Sequence, residues 1–189
     1  LTRLPALDLH MNRIRDIGPL QDCEKLTWVN LGQNRIQRID ALAPPGYLTT
    51  VVLDDNAIAD ARPLEGLGRL RLLSLRGNRI ENCPDLSKLP LLEAGDFSDN
   101  RIRELGWAAG ALRLTSLNLA GNRIANLEPI VSLHALLHLN LSENPIEDPA
   151  PIARLDRLRT LYVWHTGIRT VDFARHLMDL QQLGIADND

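Results

Sequence analysis

Asparagine recurs along this 189-residue chain with a fixed period. Asn12, Asn34, Asn56, Asn78, Asn100, Asn122 and Asn144 are each 22 residues apart, with Thr166 on the next mark and Asn188 on the one after. No insertion or deletion breaks the register. A Leu stands eight residues before every mark, from Leu4 to Leu180, and an Ile two residues after it, from Ile14 to Ile168. A unit of this length cannot bury its own apolar face. Consecutive units must stack, and the product is an elongated solenoid with one continuous core.

Residues 114–124 spell the unit as L-x-x-L-x-L-x-x-N-x-I. Alternation around Leu117 and Leu119 predicts a short strand with one face buried. The spacing then widens over Ile124, Leu127, Ile130 and Leu133, which suits a 3₁₀ turn or short helix on the far side. Pro19, Pro63, Pro129 and Pro151 stand at the entry to that turn, where a pre-set φ helps and a missing N–H costs nothing. Every unit winds the same way, so the strands are parallel. Each Asn amide can satisfy backbone groups in the turns of its own and adjacent units, which would otherwise be buried without partners. Thr166 can do only part of this, and the eighth unit is expected to be looser. Gly95 replaces a core Leu, and Phe97 is expected to fill the hole. Pro44, Pro45 and Gly46 interrupt the back of the second unit. Trp107 and Phe173 take the position used elsewhere by Pro, and both are expected to cover the back.

This unbroken spelling resembles that of leucine-rich repeat proteins over essentially the whole chain. The resemblance implies an α/β solenoid: a right-handed superhelix with a parallel sheet on the concave face and 3₁₀ or short helices on the convex face. It also implies a single domain over residues 1–189, of about eight to nine 22-residue repeats. Leu1 already falls on a core position and Asp189 stops just past a mark, with no polar cap at either end. The chain is therefore expected to be part of a longer protein. Two groups are similar in period. One is the bacterial internalin type, echoed by Asp16-Ile17-Gly18-Pro19-Leu20. The other is the type in a regulatory subunit of eukaryotic protein phosphatase, echoed by Asn34-Arg35-Ile36 and Ile39. The function implied is that of a protein-protein interaction module, binding a protein partner through the concave face without catalysis. The alternative is the recognition arm of a larger enzyme, such as a bacterial effector ligase or transferase, or a phosphatase regulator.

Composition narrows the classes. Arg far outnumbers Lys, which appears only at Lys25 and Lys88, and with many Ala this points to a GC-rich, bacterial genome. A net charge of −3 argues against a nucleic-acid binder. No run of about 18 apolar residues is present, so no membrane insertion is expected. No phosphate-cradling Gly loop, G-x-S-x-G or H-E-x-x-H occurs, so no catalytic residue, metal or cofactor is assigned. Cys23 and Cys83 sit at core positions three repeats apart. At ~4.8 Å per strand that is roughly 14 Å, beyond the ~7 Å limit for a disulfide. Two buried free thiols favour a cytoplasmic or delivered protein over a disulfide-rich extracellular one.

The residues on the open strand face follow from the register. In the middle of the chain Asp54, Asp55, Asp96 and Asp99 flank Arg76, an acidic face expected to be solvated, with a patch for a basic partner as the alternative. Aromatic residues are few, yet Tyr162 and Trp164 share this face, with Trp28 on it near the other end. Exposed Tyr and Trp are typical interface anchors. Glu143, His165 and Asp187 follow one another at the same repeat position, so His165 should lie between two carboxylates, with His138 one strand away. Tyr162, Trp164 and His165 are the expected anchors for a protein partner. Arg13, Arg35, Arg79, Arg101 and Arg123 should form a row along one rim.

Overall fold

The computed structural model describes residues 3–43 and 46–188. The readings made above for Leu1, Pro44, Pro45 and Asp189 lie outside the described residues. Nine three-residue strands form one sheet, in chain order and all parallel. They are β1 (Ala6–Asp8), β2 (Trp28–Asn30), β3 (Thr50–Val52), β4 (Leu72–Ser74), β5 (Ala94–Asp96), β6 (Ser116–Asn118), β7 (His138–Asn140), β8 (Thr160–Tyr162) and β9 (Gln182–Gly184). The pairing register follows the 22-residue period throughout, as in Leu117 opposite Leu139 and Leu139 opposite Leu161. The sheet is open, and each strand is followed by a 3₁₀ turn on the opposite side up to the turn Asp172–His176. The turns at Gly18–Asp22, Arg62–Gly66, Glu128–Ser132 and Ala150–Arg154 carry Pro in their first two positions. This is the architecture expected of stacked 22-residue units.

The core runs between the sheet and the backs. Val51, Leu73, Leu117, Leu139 and Leu161 point inward from the strands and are fully or almost fully buried. The outermost units are less covered: Leu4, Leu183 and Ile185 are exposed although they occupy core positions of the repeat. Each has a neighbouring unit on one side only among the described residues.

Phe97 is completely buried, and a Cβ at Gly95 would meet its Cε2 at 2.7 Å. The ring thus occupies the volume of the missing Leu, and Trp107 backs it with ring centroids 4.8 Å apart. Trp107 in turn donates from Nε1 to the Glu104 carbonyl at 2.7 Å. Phe173 is buried. Cys23 and Cys83 are free and buried, and burial pushes the Cys83 thiol well above its ordinary value.

The asparagine ladder ties the units together. Asn122 Nδ2 donates to the carbonyls of Leu119 and Ala120 in its own repeat and of Phe97 in the preceding one, at 2.9–3.2 Å. Its Oδ1 accepts from the Ile102 N–H at 2.9 Å. Asn34, Asn56, Asn78, Asn100 and Asn144 repeat the pattern. At the eighth mark the single Thr166 hydroxyl proton is shared between the Val163 carbonyl at 3.0 Å and Asn188 Oδ1 at 2.9 Å. No side chain there reaches back to the Leu141 carbonyl, and the Ile146 N–H bonds to the carbonyls of Asn144 and Thr166 instead.

The residue just before each ladder position turns the chain through the left-handed region. Gly77 and Gly121 do so with φ of +67° and +66°. Met11, Gln33, Asp55, Asp99, Glu143, His165 and Asp187 do so with a Cβ, at φ between 49° and 57°. Left-handed backbone costs a Cβ-bearing residue roughly 1–2 kcal/mol. The stacked hydrogen bonds of the ladder hold it in place.

Candidate functional site

The open face of the sheet is built from the residues that alternate with the core Leu. Beyond each strand a second motif recurs there. A strand-end Asp or Asn accepts from the N–H two residues on: Asp8 from His10, Asn30 from Gly32, Asp96 from Ser98, Asn118 from Ala120 and Asn140 from Ser142. These side-chain turns satisfy a donor that the parallel ladder leaves open. They also draw small residues inward. Ser98 and Ser142 are buried.

In the fourth repeat Ser74 stands at the strand end, its hydroxyl donates to Asp54 just beyond β3, and Asp54 takes the turn's accepting role from the neighbouring repeat. Its Oδ1 accepts from the Arg76 N–H at 3.0 Å and from the Ser74 hydroxyl. The eighth repeat has Tyr162 at the strand end, and there Ser142 Oγ accepts from the Trp164 N–H at 3.2 Å.

This internal use accounts for much of the acidic face. Asp96 accepts from the Ser98 N–H and hydroxyl, and its Oδ2 accepts from Asn118 Nδ2 at 3.1 Å. Arg76 Nε lies 3.1 Å from Asp99 Oδ2. Among the described residues no three His, Cys, Asp or Glu side chains converge as a metal-ion site would require. Burial raises the Asp54 carboxyl above its ordinary value, partly offset by the bonds from Ser74 and Arg76 and reinforced by Asp96 and Asp55. A carboxyl raised in the fold binds its proton more tightly there than in the unfolded chain. Its contribution is therefore present at low pH, and it is lost as pH rises from the unfolded value of about 4 through the higher folded one. Asn at position 54 could accept the same two hydrogen bonds without a charge. Urea unfolding of wild type and Asp54→Asn across that window should show wild-type stability falling relative to the variant as pH rises. A difference that stays flat, or slopes the other way, would contradict the buried-carboxyl assignment.

The aromatic residues lie at the other end of the face. Tyr162 is half-buried on β8, and Trp164, just beyond it, is 43% exposed. Their rings meet edge-to-face with centroids 5.1 Å apart, a favoured aromatic geometry. Gly184 on β9 makes room for them, since a Cβ there would collide with the Trp164 indole and the Tyr162 ring. Beside Tyr162 an open depression of about 220 Å³ is lined by Ser116, Asn118, His138, Asn140 and Thr160 over the backbone of Leu117 and Leu139. No Asp, Glu, Lys or Arg lines it. His138 is exposed on β7. His165 Nε2 lies 3.3 Å from Asp187 Oδ2, and Glu143 occupies the equivalent turn on the other side. Trp28 is half-buried on β2, far along the sheet from this cluster. The structure thus brings together Tyr162, Trp164, His165, His138 and Glu143 in the seventh and eighth repeats. Asp54 and Asp96 stand apart at mid-sheet.

Arg13, Arg35, Arg79, Arg101 and Arg123 are exposed along one rim as the register requires. Arg101 lies 3.7 Å from Glu81, which tempers that row. The roles of Gly184, Ser142 and the strand-end Asx residues were not drawn from the sequence. A row of Asp and Asn two residues before an N–H with no strand partner was the available signal.

Residues 112–154 match the family model described as leucine-rich repeats (2 copies). No curated protein sequence matches the chain. The fold is similar to that of an internalin of Listeria monocytogenes, at 23% identity over 99% of this chain and 56% of the internalin, with a TM-score of 0.94. A second internalin of the same species shares 23% identity over 96% of this chain and 80% of its own, with a TM-score of 0.91. A plant peptide hormone receptor in complex with RGF2 is similar at 19% identity over 100% of this chain and 33% of the receptor, with a TM-score of 0.84. The chain therefore spans about half of the first internalin and a third of the receptor. Among the described residues no helix is long and apolar enough to cross a membrane. The period, the parallel sheet with its 3₁₀ backs and these likenesses agree: the chain has a leucine-rich repeat fold similar to that of the internalins, and residues 112–154 match the leucine-rich repeat model.

Proposed function

We propose that this chain is a non-enzymatic binding module that takes a polypeptide partner on its open sheet face, anchored by Tyr162 and Trp164. The observation that carries this reading is the aromatic pair itself. The chain has only 2 Tyr and 3 Trp, and one of each is packed edge-to-face on the solvent side of the sheet. Aromatic anchors of this kind dominate interface energetics because they bring large area at low entropic cost. His138 and His165 flank the pair with polar groups at the edge of that apolar surface. Trp28, Asp54 and Asp96 extend the face toward the other end. The similar plant receptor is a peptide hormone receptor, which supports a peptide-like ligand.

Selection of displayed random peptides against the wild-type chain tests this. Binders are expected to lose about 2 kcal/mol or more against Trp164→Ala, while the thermal unfolding of the variant stays close to wild type. Binders indifferent to Trp164 would overturn the anchor.

A further inference from the structure

The rim beside Trp164 departs from the rest of the solenoid in several ways at one place. Five repeats carry Arg immediately after the ladder residue, at Arg13, Arg35, Arg79, Arg101 and Arg123. The third carries Ala57 there, and the adjacent seventh and eighth carry Pro145 and Gly167. The ladder itself breaks at Thr166, which forfeits the bond to the Leu141 carbonyl that an Asn would make. In a repeat protein the other copies show what the scaffold alone requires. Departures that cost stability and coincide in space mark a site.

The departures also leave a shape. Glu143, Asn144, Pro145, His165, Thr166 and Gly167 bound an open hollow of about 770 Å³. The Arg found at this edge in other repeats is replaced, and no Lys or Arg lines the hollow. Glu143 is exposed, and no ion pair engages its carboxylate among the described residues, whereas Asp99 is taken by Arg76 and Asp187 by His165. The indole of Trp164 leans toward Gly184 on β9, and its chain neighbour His165 lines the hollow.

We infer that the rim hollow receives the cationic side chain of an extended peptide whose neighbouring apolar or aromatic residue lies against Trp164 and Tyr162. This deepens the sheet-face reading and rests on it. Asp187 beside His165 leaves Glu143 as the free acceptor in the hollow. Pro145 and Gly167 keep the rim low enough for a chain to cross it. A charge-assisted hydrogen bond to Glu143 fixes the register of the peptide, and the aromatic contact supplies the apolar area.

Two blocked dipeptides test the inference: N-acetyl-tyrosyl-arginine amide and N-acetyl-tyrosyl-glutamate amide. Each is titrated at low ionic strength into the ¹⁵N-labelled chain while the Trp164 indole N–H resonance is followed. The arginine peptide is expected to bind at least about fivefold more tightly. That preference should shrink to less than about twofold in Glu143→Gln, and likewise in wild type at high salt, where exposed pairs are screened. The amide spectrum of the variant verifies its fold, and the salt arm needs no variant at all. Equal binding of the two peptides, or a preference that survives both Glu143→Gln and salt, overturns the cationic site and leaves the sheet-face reading standing. No movement of the Trp164 resonance with either peptide overturns both.

Discussion

Asn122→Ala is expected to destabilise the chain by about 3 kcal/mol or more in chemical denaturation. The side chain makes four hydrogen bonds at 2.9–3.2 Å and is 8% exposed. Truncation leaves the Ile102 N–H without its acceptor and removes one donor from three carbonyls. A buried unpaired donor costs about 1–3 kcal/mol, and water cannot enter this packed turn without opening it. Asn12→Ala is the control. Asn12 donates to the carbonyls of Leu9 and His10 from an exposed position in the first repeat. Water can replace those bonds, so its loss should cost less than about 1 kcal/mol. Equal losses in the two variants would contradict the view that the ladder matters because it is buried.

Leu139→Ala should cost roughly 2–5 kcal/mol, because it opens a cavity in the packed interior between β6 and β8. Leu139 is 1% exposed and pairs in register with Leu117 and Leu161. Ser116→Ala, on the open side of β6, should change stability by less than about 0.5 kcal/mol. Both sites lie in the inner repeats, away from the outermost units where a solenoid unfolds locally. Urea titrations of the two variants measure the difference directly. Comparable losses would show that the assigned inward and outward faces are interchanged or mixed.

The period of the sequence was enough for the fold. An Asn every 22 residues, with Leu and Ile at constant offsets, fixes register, strand direction and inward face together. A one-residue slip would turn every strand side chain to the wrong side. The Pro positions placed the 3₁₀ entries for the same local reason, since φ and the missing N–H are properties of the residue itself. The packing of Phe97 over Gly95 was legible because a missing side chain and an oversized one stood two positions apart in one repeat. The placement of Trp164 on the open face was legible from alternation alone.

Other features depended on atoms from different repeats meeting, and these only the tertiary structure decided. Asp54 looks in sequence like one more exposed acid, yet it reaches across a strand to serve Ser74 and Arg76. Ser98 and Ser142 obey the outward half of the alternation, yet side-chain turns from Asp96 and Asn140 draw them into burial. Gly184 reads as a weak strand residue until the rings of Trp164 and Tyr162 are seen leaning over it. The hollow beside Glu143 arises because Pro145 and Gly167, 22 residues apart in sequence, lie side by side on the rim. Periodicity reports what every repeat shares. What singles out one place on the surface is a set of departures from it, and their effect depends on which neighbours stand within reach.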